Sequence, residues 1–320
     1  MYDLSWLDTA GPARVELATL PTPLHRADRL SERLGVPIWF KRDDLTGLGL
    51  GGNKVRTLEY LMADALGNGC DCLVTGAGPQ SNWTLLAALA AIRTGLEPFV
   101  VCYGDEPPAW GNLLLHRRLG VALSFTGDPD RASVDAAIES WAADLRAAGR
   151  RPYVVPRGGA TPVGALGYLR GGLELASQLD GPTTLWQATG SGGTTAGLVA
   201  ASALGASYTV AGVTVSRPVA EISARVGELV GAALGLVGVR SGVPDVDIRD
   251  GWIGPGYGVP SPEGDEAARL VARTEGVFLD PVFGAKAMAA LIAVAHAGQV
   301  DGPVVFLVSG GAPTLFGSAP

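Results

Sequence analysis

Residues 185–195 read LWQATGSGGTT, and this stretch decides the fold. An apolar run typical of a buried strand leads into a glycine-rich turn, and a helix is predicted to follow at 194–204. Glycines let a backbone approach an anion closely, hydroxyls add hydrogen-bond donors, and a helix N-terminus favours negative charge. The pattern therefore predicts a phosphate-binding loop, whose residues are Thr189, Gly190, Ser191, Gly192, Gly193 and Thr194.

The same strand–turn–helix rhythm runs along the whole chain. The strand that leads into this loop is predicted at 184–188, and further strands are predicted at 36–40, 71–75, 98–103, 121–125, 152–155, 208–214 and 303–308. Helices are predicted at 54–67, 81–93, 132–148, 163–179, 219–237, 264–275 and 284–297. Because the strands are continuously apolar, we expect an α/β fold with parallel sheets covered by helices on both faces. Glycine clusters at five of the predicted turns indicate one shared ligand site at the carboxyl ends of the strands.

Composition narrows the class of protein. The chain has 320 residues, 46 of them glycine, with 47% hydrophobic and 17% charged residues, which is enough for one large or two modest domains. A net charge of −7 without a long basic run argues against nucleic acid as a partner. No signal peptide and no membrane span is visible, so we expect no membrane partner.

Cysteine and histidine usage adds two expectations. The cysteines are Cys70, Cys72 and Cys102, an odd number that favours reduced thiols and a cytoplasmic location. The three histidines are scattered and none belongs to a helical metal-binding pair, so no metal site is predicted.

A second informative stretch surrounds Lys54. Residues 50–59 read LGGNKVRTLE, which places this lysine directly after two glycines and an asparagine at the start of a helix. The positive end of a helix disfavours the ammonium form, so Lys54 is primed to act as a nucleophile. The chain has only two other lysines, Lys41 and Lys286.

Other interpretations of the glycine loops stay open at this point. A dinucleotide site would need an acidic residue after the next strand, where the sequence has Thr214-Val215-Ser216-Arg217, although Arg217 leaves room for NADP. A kinase-type phosphate loop would need glycine before Lys54, and the residue is Asn53. The loop at 189–194 could also be no more than a tight turn.

Several motifs follow one another in a fixed order from about Leu20 to Phe316. Besides the two stretches above, they are Gln80-Ser81-Asn82, Pro156-Arg157-Gly158-Gly159, Gly164-Ala165-Leu166-Gly167-Tyr168, Gly256-Tyr257-Gly258, Leu279-Asp280-Pro281-Val282 and Ser309-Gly310-Gly311-Ala312-Pro313. Together they resemble the 1-aminocyclopropane-1-carboxylate deaminase and D-cysteine desulfhydrase family of fold type II, tryptophan synthase beta-like enzymes that depend on pyridoxal 5'-phosphate.

The resemblance implies a role for each matching residue. Lys54 would carry the cofactor as a Schiff base and exchange the Cα proton, the 189–194 loop would hold the cofactor phosphate, and Asn82 and Ser309 would contact the cofactor ring. Ser81 and Tyr257 are expected to take part in catalysis. The residues expected at the substrate are Ser81, Asn82, Trp83, Tyr257 and Phe283. Helix capping by Ser81 or Asn82, and simple packing of Tyr257, are the alternatives for these positions.

The resemblance also implies an organisation and a reaction. The larger domain would combine residues 1–52 and 158–320, the smaller would span 53–157, and the protein would be a homodimer. A hydroxyl such as Ser309 leaves the cofactor nitrogen uncharged, which suits α,β-elimination on a small β-substituted amino acid to an oxo acid and ammonia. The alternatives are β-replacement on an aminoacrylate intermediate, a non-catalytic protein that holds the cofactor for regulation, and a dehydrogenase.

Three departures from the family pattern concern the substrate. Trp83 is bulky and apolar and stands in a segment that is commonly polar, and Phe283 stands where the family commonly has tyrosine. Ala160 replaces a serine after Gly158-Gly159, next to Arg157, which either adds a cation or faces solvent. We therefore expect an altered substrate and doubt the opening of a cyclopropane ring.

Overall fold

The computed structural model describes Leu7, residues 11–240, Gly242 and residues 244–317. Within these residues the chain forms a six-stranded and a four-stranded sheet. The six-stranded sheet has the order β1 (Leu24–Arg26), β2 (Ile38–Arg42), β10 (Val304–Val308), β7 (Thr183–Thr189), β8 (Tyr208–Thr214) and β9 (Asp247–Arg249). The four-stranded sheet has the order β5 (Ala122–Phe125), β4 (Glu97–Cys102), β3 (Cys72–Ala77) and β6 (Pro152–Val154). Only the β1–β2 pair is antiparallel.

Helices connect the strands. They are α1 (Asp28–Leu34), α2 (Lys54–Gly67), α3 (Asn82–Arg93), α4 (Gly111–Leu119), α5 (Ser133–Ala147), α6 (Pro162–Gln178), α7 (Gly193–Ala203), α8 (Val219–Leu236), α9 (Pro262–Glu275) and α10 (Gly284–His296). Short 3₁₀ turns lie at Asp43–Leu45, Arg157–Gly159 and Ala312–Leu315. This arrangement confirms the predicted α/β fold with parallel sheets.

Both faces of the large sheet are buried, as its continuous apolar strands require. One core packs α6, α7 and α8 against the sheet, and a second packs α1, α9 and α10 against the opposite face. In the smaller sheet, α2 and α3 cover one face and α5 covers the other. The central strand β10 is buried along its whole length.

The strand order brings the loops of each sheet to one edge. β10 pairs in parallel with both β2 and β7, so the loops after Val308 and Thr189 emerge side by side. In the smaller sheet, all four strands are parallel, and the segments after β3, β4, β5 and β6 likewise share one edge. Ligand sites of α/β folds lie at such edges.

A buried network of charged residues anchors the start of α2 to the large sheet. Arg56 donates to both carboxylate oxygens of Asp43, at 2.8 and 2.9 Å, and to those of Glu174 on α6, at 2.9 and 2.8 Å. Lys41 contacts Glu174 at 2.5 Å, and the Tyr168 hydroxyl donates to Asp43. Two cations and two carboxylates balance, which offsets much of the cost of burying them.

The structure also contains elements that the pattern did not predict. Helices α1 and α4 and the strands β1 and β9 were not expected, and β2 begins at Ile38 rather than at 36. α1 and the two strands are short, and α4 has a mixed composition in which Asn112, Leu113 and His116 are buried.

Candidate active site

The three lysines of the chain have different environments. Lys41 is paired with Glu174, and Lys286 donates to the backbone carbonyls of Ile253 and Gly256 at 2.6 and 3.2 Å. Lys54 is half-buried, and within the described chain nothing donates to, accepts from or pairs with its side chain. Burial lowers the pKa of its amine to about 8. Lys54 is therefore the lysine that can serve as a nucleophile.

Asn53 connects Lys54 to two predicted cofactor contacts. Its backbone N–H donates to the carbonyl of Ser309 at 2.9 Å, and its side-chain amide donates to Oγ1 of Thr194 at 3.2 Å. The backbones approach closely here, because a Cβ at Gly310 would lie 2.8 Å from the Cα of Gly52. The lysine, the loop after β10 and the start of α7 therefore lie together.

The predicted phosphate-binding loop connects β7 to α7. Gly192 has φ +91°, a conformation that favours glycine, and α7 begins at the next residue. The first N–H groups of a helix have no acceptor within the helix, so they face the loop as donors. Two hydroxyls fix the loop, since Ser216 donates from outside it to the carbonyl of Gly190, and Ser191 within it donates to the carbonyl of Gly158. Together these features form an anion site.

Thr189 is placed differently from the rest of the loop. Its hydroxyl is buried and lies 3.0 Å from that of Thr195, and both contact the side-chain amide of Gln187. The side chain of Thr189 therefore belongs to an internal network that fixes the end of β7, and its contact with a cofactor stays a prediction.

Ser81 and Asn82 lie at the start of α3, after β3. Ser81 is the N-cap and accepts the N–H of Thr84 at 3.4 Å, so the capping alternative describes it, and its hydroxyl proton stays available. Asn112 on α4 donates to the Gln80 carbonyl and to Oδ1 of Asn82, both at 2.8 Å. Because this contact occupies Oδ1, the Nδ2 group of Asn82 faces the other way.

That Nδ2 group points to the loop after β10. A Cβ at Gly311 would lie 2.5 Å from Nδ2 of Asn82 and 2.8 Å from Cβ of Asp280. Ser309 lies two residues earlier, and its hydroxyl has no partner within the described residues. Asp280 accepts three N–H groups at the start of α10, from Val282, Phe283 and Gly284, while burial raises the pKa of its carboxyl.

Tyr257 and Phe283 lie side by side near the phosphate loop. Their ring centroids are 6.2 Å apart, and a Cβ at Gly190 would lie 3.0 Å from the Phe283 ring, so Phe283 adjoins the loop and Tyr257 packs next to it. The Tyr257 side chain is 38% exposed, although the surrounding protein raises the pKa of its phenol. Arg131, which follows β5 of the smaller sheet, places its guanidinium 4.9 Å from the Tyr257 ring centroid.

Trp83 and Arg157, both singled out by the sequence, make internal contacts. Trp83 is 3% exposed, donates its indole N–H to Thr75 and packs on Gly159, where a Cβ would clash with its ring. Its contact with substrate stays a prediction. Arg157 makes a two-point ion pair with Asp135 at 2.7 and 2.6 Å, so it carries a compensated charge rather than facing solvent freely.

These groups fit pyridoxal phosphate on their own chemistry. Four groups converge here, namely the unpaired amine of Lys54, the N-terminus of α7, the side-chain amide N–H of Asn82 and the free hydroxyl of Ser309. In the same order, these groups match the aldehyde carbon, the phosphate, the ring oxygen and the ring nitrogen of pyridoxal phosphate. A nicotinamide site has less support, because Arg217 forms an ion pair with Glu221.

Sequence reasoning did not identify three residues near this site, namely Tyr103, Asn112 and Arg131. They follow β4 and β5 or lie on α4, and no local motif marks them. In the part of the chain that the structure describes, no three histidine, cysteine or acidic side chains cluster as metal ligands would. No helix of the described residues has the length and apolar character needed to cross a membrane.

Comparison with known proteins agrees with this site. A model of the family described as pyridoxal-phosphate dependent enzyme matches residues 15–310. The chain is 40% identical to D-cysteine desulfhydrase of Salmonella choleraesuis (strain SC-B67) over 96% of each chain. It is similar to the crystal structure of an ACC deaminase homologue, with 35% identity, a TM-score of 0.92, and coverage of 98% of this chain and 95% of that one.

A more distant similarity shows the fold alone. Threonine deaminase isoform 2 from Solanum lycopersicum matches with 20% identity and a TM-score of 0.68, over 96% of this chain and 84% of that one.

Proposed function

This chain belongs to the family of pyridoxal-phosphate-dependent enzymes, and from that premise we propose that it catalyses α,β-elimination on a small β-substituted amino acid of the D-cysteine type. The resemblance seen in the sequence and the predicted cofactor are thereby confirmed. The products would be an oxo acid, ammonia and the released β-substituent.

The observation that carries the proposal is the state of Lys54. Burial lowers the pKa of its amine to about 8, so near neutral pH a larger fraction of Lys54 than of an ordinary lysine is uncharged and able to attack a carbonyl. The same group, once free, has a pKa suited to accepting and returning a proton at Cα. An ion-paired lysine such as Lys41 would do neither.

The remaining groups of the site would bind and orient the cofactor and the substrate. When bound, pyridoxal phosphate withdraws electrons from the substrate Cα. The start of α7 would hold its phosphate, and the Nδ2 group of Asn82 would donate to its ring oxygen. Ser81 presents a hydroxyl at the N-terminus of α3, where a substrate carboxylate is favoured by the helix dipole. Ser309, a neutral hydroxyl, would leave the ring nitrogen uncharged and so favour elimination.

Phe283 bears on the choice of substrate. It stands against Gly190 and Tyr257 without a phenol, so it supplies no acid or base at that position. This supports elimination of a β-substituent over the opening of a cyclopropane ring.

The test is the spectrum and turnover of purified protein with Lys54 intact and with Lys54→Ala. We expect the native protein to show the absorbance of lysine-bound cofactor and to release pyruvate and ammonia from D- or L-amino acids with a β-leaving group. Lys54→Ala is expected to lose both, and an added small primary amine is expected to restore some turnover. Full turnover in Lys54→Ala would refute the role assigned to Lys54.

The same assay separates the alternatives. Loss of substrate without oxo acid, together with a new β-substituted amino acid when a nucleophile is supplied, would indicate β-replacement. A cofactor band without turnover of any amino acid would indicate a protein that only holds the cofactor.

We also propose two domains, with boundaries near residues 52 and 158, a homodimer and a cytoplasmic location. The four-stranded sheet, all of which lies between 72 and 154, supports the division. The three cysteines are unpaired thiols, in keeping with a reducing compartment. Light scattering on the purified protein and imaging of a tagged copy in cells test the last two points.

A further inference from the structure

Four side chains form a cluster near the phosphate loop, and the mechanism above gives a role to none of them. The phenol–guanidinium cluster consists of Tyr103, Arg131, Arg157 and Tyr257. Tyr103 follows β4, Arg131 follows β5 and Arg157 follows β6, so the shared edge of the smaller sheet supplies three members. Tyr257 comes from the side of the large sheet.

Direct contacts place this cluster beside the reacting groups. Arg131 donates to the carbonyl of Ser216 at 3.1 Å, and the hydroxyl of Ser216 donates to Gly190 in the phosphate loop. On the other side, a Cβ at Gly78 would lie 2.7 Å from the Tyr103 hydroxyl, three residues before Ser81. The cluster therefore lies between the phosphate loop and the start of α3.

The cluster offers donors and few acceptors. Within the described residues, neither the Tyr103 nor the Tyr257 hydroxyl has a hydrogen-bond partner. Arg131 uses one N–H group on a carbonyl, stacks on Tyr257 and has no carboxylate within ion-pair distance in the described chain. A guanidinium presents several further N–H groups and accepts nothing.

The charged groups around the cluster differ in their partners. Arg157 is neutralised by Asp135. Asp280 also acts on Tyr257, but its carboxyl is already bonded to three backbone N–H groups. Arg131 is therefore the charged member of the cluster that has no ion-pair partner among the described residues.

We propose that this cluster recognises a tetrahedral oxyanion on the β-carbon of the substrate, such as a sulfonate or a phosphate ester. The inference rests on the proposed function and specifies its leaving group. The three oxygens of such an oxyanion can accept hydrogen bonds from one guanidinium and two phenols. A thiol, by contrast, is a weak hydrogen-bond acceptor. The natural substrate class is thus a small amino acid whose β-substituent is anionic.

The chemical step balances without any further reactant except water. The Cα proton passes to the amine of Lys54, the bond from Cβ to sulfur or oxygen breaks, and its electron pair leaves with the oxyanion. Cysteate and water would give pyruvate, ammonium and hydrogen sulfite. O-phosphoserine and water would give pyruvate, ammonium and inorganic phosphate.

The test compares holoenzymes of the native chain and of Arg131→Gln, Tyr257→Phe and Arg118→Gln. Both enantiomers of cysteate, O-phosphoserine and β-chloroalanine serve as substrates, with oxo-acid release and a cofactor-absorbance titration as readouts. β-Chloroalanine has a good leaving group without an oxyanion. Arg118 is exposed on α4 and serves as the matched arginine control.

We expect Arg131→Gln to lower kcat/KM for at least one oxyanion substrate about 10- to 100-fold, the value of one hydrogen bond to a charged group, with less than about threefold change for β-chloroalanine. Tyr257→Phe should act in the same direction and more weakly, and Arg118→Gln should match the native chain. In Arg131→Gln, the dissociation constant of the oxyanion substrate, taken from the cofactor-absorbance titration, should rise in parallel with the fall in kcat/KM.

Two results would overturn the proposal. An equal fall for all substrates in Arg131→Gln would mean that the arginine serves the α-carboxylate or the fold. If the native enzyme turns over β-chloroalanine but neither binds nor cleaves the oxyanion amino acids, the proposed oxyanion site is refuted, while the proposed elimination reaction still stands. Absence of oxo acid from every compound would refute the elimination itself, and the inference with it.

Discussion

Asn112 donates its side-chain amide to Oδ1 of Asn82 over 2.8 Å and thereby turns the Nδ2 group of Asn82 toward the loop after β10. The orientation is determined, because the same Asn112 amide also donates to the Gln80 carbonyl, and the Gln80 side chain accepts the Asn112 backbone N–H. Asn112 is fully buried, so water does not replace these contacts. It is a positioning residue for an amide group that we propose faces the cofactor.

Replacing Asn112 should weaken the cofactor site without removing any residue that faces it. We expect Asn112→Ala to raise the dissociation constant of pyridoxal phosphate about 10-fold, the value of one hydrogen bond, because the Asn82 amide is free to rotate. Equilibrium dialysis measures this. Asn68→Ala, at an exposed helix end, is the matched control, and equal cofactor affinity in all three proteins would contradict the prediction.

Cofactor attachment should follow the titration of Lys54. The neutral amine is the nucleophile, so the rate at which added pyridoxal phosphate becomes lysine-bound should rise with pH and level off above about pH 8. Stopped-flow absorbance on cofactor-free protein measures this rate. A rate that keeps rising toward 10.5, the ordinary lysine pKa, would show that burial does not shift the pKa of Lys54.

His116 should make the fold sensitive to mild acid. Burial lowers the pKa of this fully buried imidazole to about 4, from an ordinary value of 6.5. The unfolded chain therefore binds more protons between these values, and the free energy of unfolding falls as pH drops from 6.5 toward 4, by about 3 kcal/mol at most from this group.

Urea unfolding at several pH values measures the effect. His116→Gln is expected to flatten the slope of stability against pH, whatever its own cost, while His296→Gln at an exposed position should leave it unchanged. An unchanged slope in His116→Gln would exclude His116 as the source.

The buried network around Arg56 should be necessary for the position of α2. Arg56→Ala leaves the carboxylates of Asp43 and Glu174 buried without their main partner, which we expect to cost about 3–5 kcal/mol. Thermal or urea unfolding checks this value. Arg217→Ala breaks an exposed pair with Glu221 and should cost at most about 1 kcal/mol, so similar losses in both variants would contradict the interpretation.

Phe283→Tyr should test how the side chain beside the phosphate loop selects the substrate. The added hydroxyl restores the phenol that the resembling family commonly has, so we expect some release of oxo acid from 1-aminocyclopropane-1-carboxylate in the variant and little in the native enzyme. Strong cyclopropane deamination by the native enzyme would refute the substrate argument. Leu279→Met, in the buried core nearby, controls for general disturbance.

Features encoded in short stretches could be predicted from the sequence. Lys54 and the 189–194 loop are marked by glycines that a turn and a helix start require, and the apolar runs of β7, β8 and β10 indicate buried parallel strands. The helix over 54–67 agrees with α2 because its apolar periodicity is local.

The remainder depends on pairing across the chain. Asn112 meets Asn82 only because α4 packs on α3, and Arg131 reaches Tyr257 only because β5 lies at one edge of the smaller sheet. The strands β1 and β9 have three residues each, too few for a period to be visible. Trp83 is buried through contacts with Thr75 and Gly159 that the sequence does not reveal, and its contact with substrate stays a prediction.

The position of β10 has a consequence for biosynthesis. This strand, formed by the last part of the described chain, lies between β2 and β7 and carries Ser309 in the loop that follows it. While the ribosome is still making residues 304–311, the large sheet has a gap at its centre, although every strand of the smaller sheet has already been translated. The nascent polypeptide therefore gains its complete cofactor site only after residues 304–311 have been translated, and premature termination before β10 would leave a product that cannot be rescued by added cofactor.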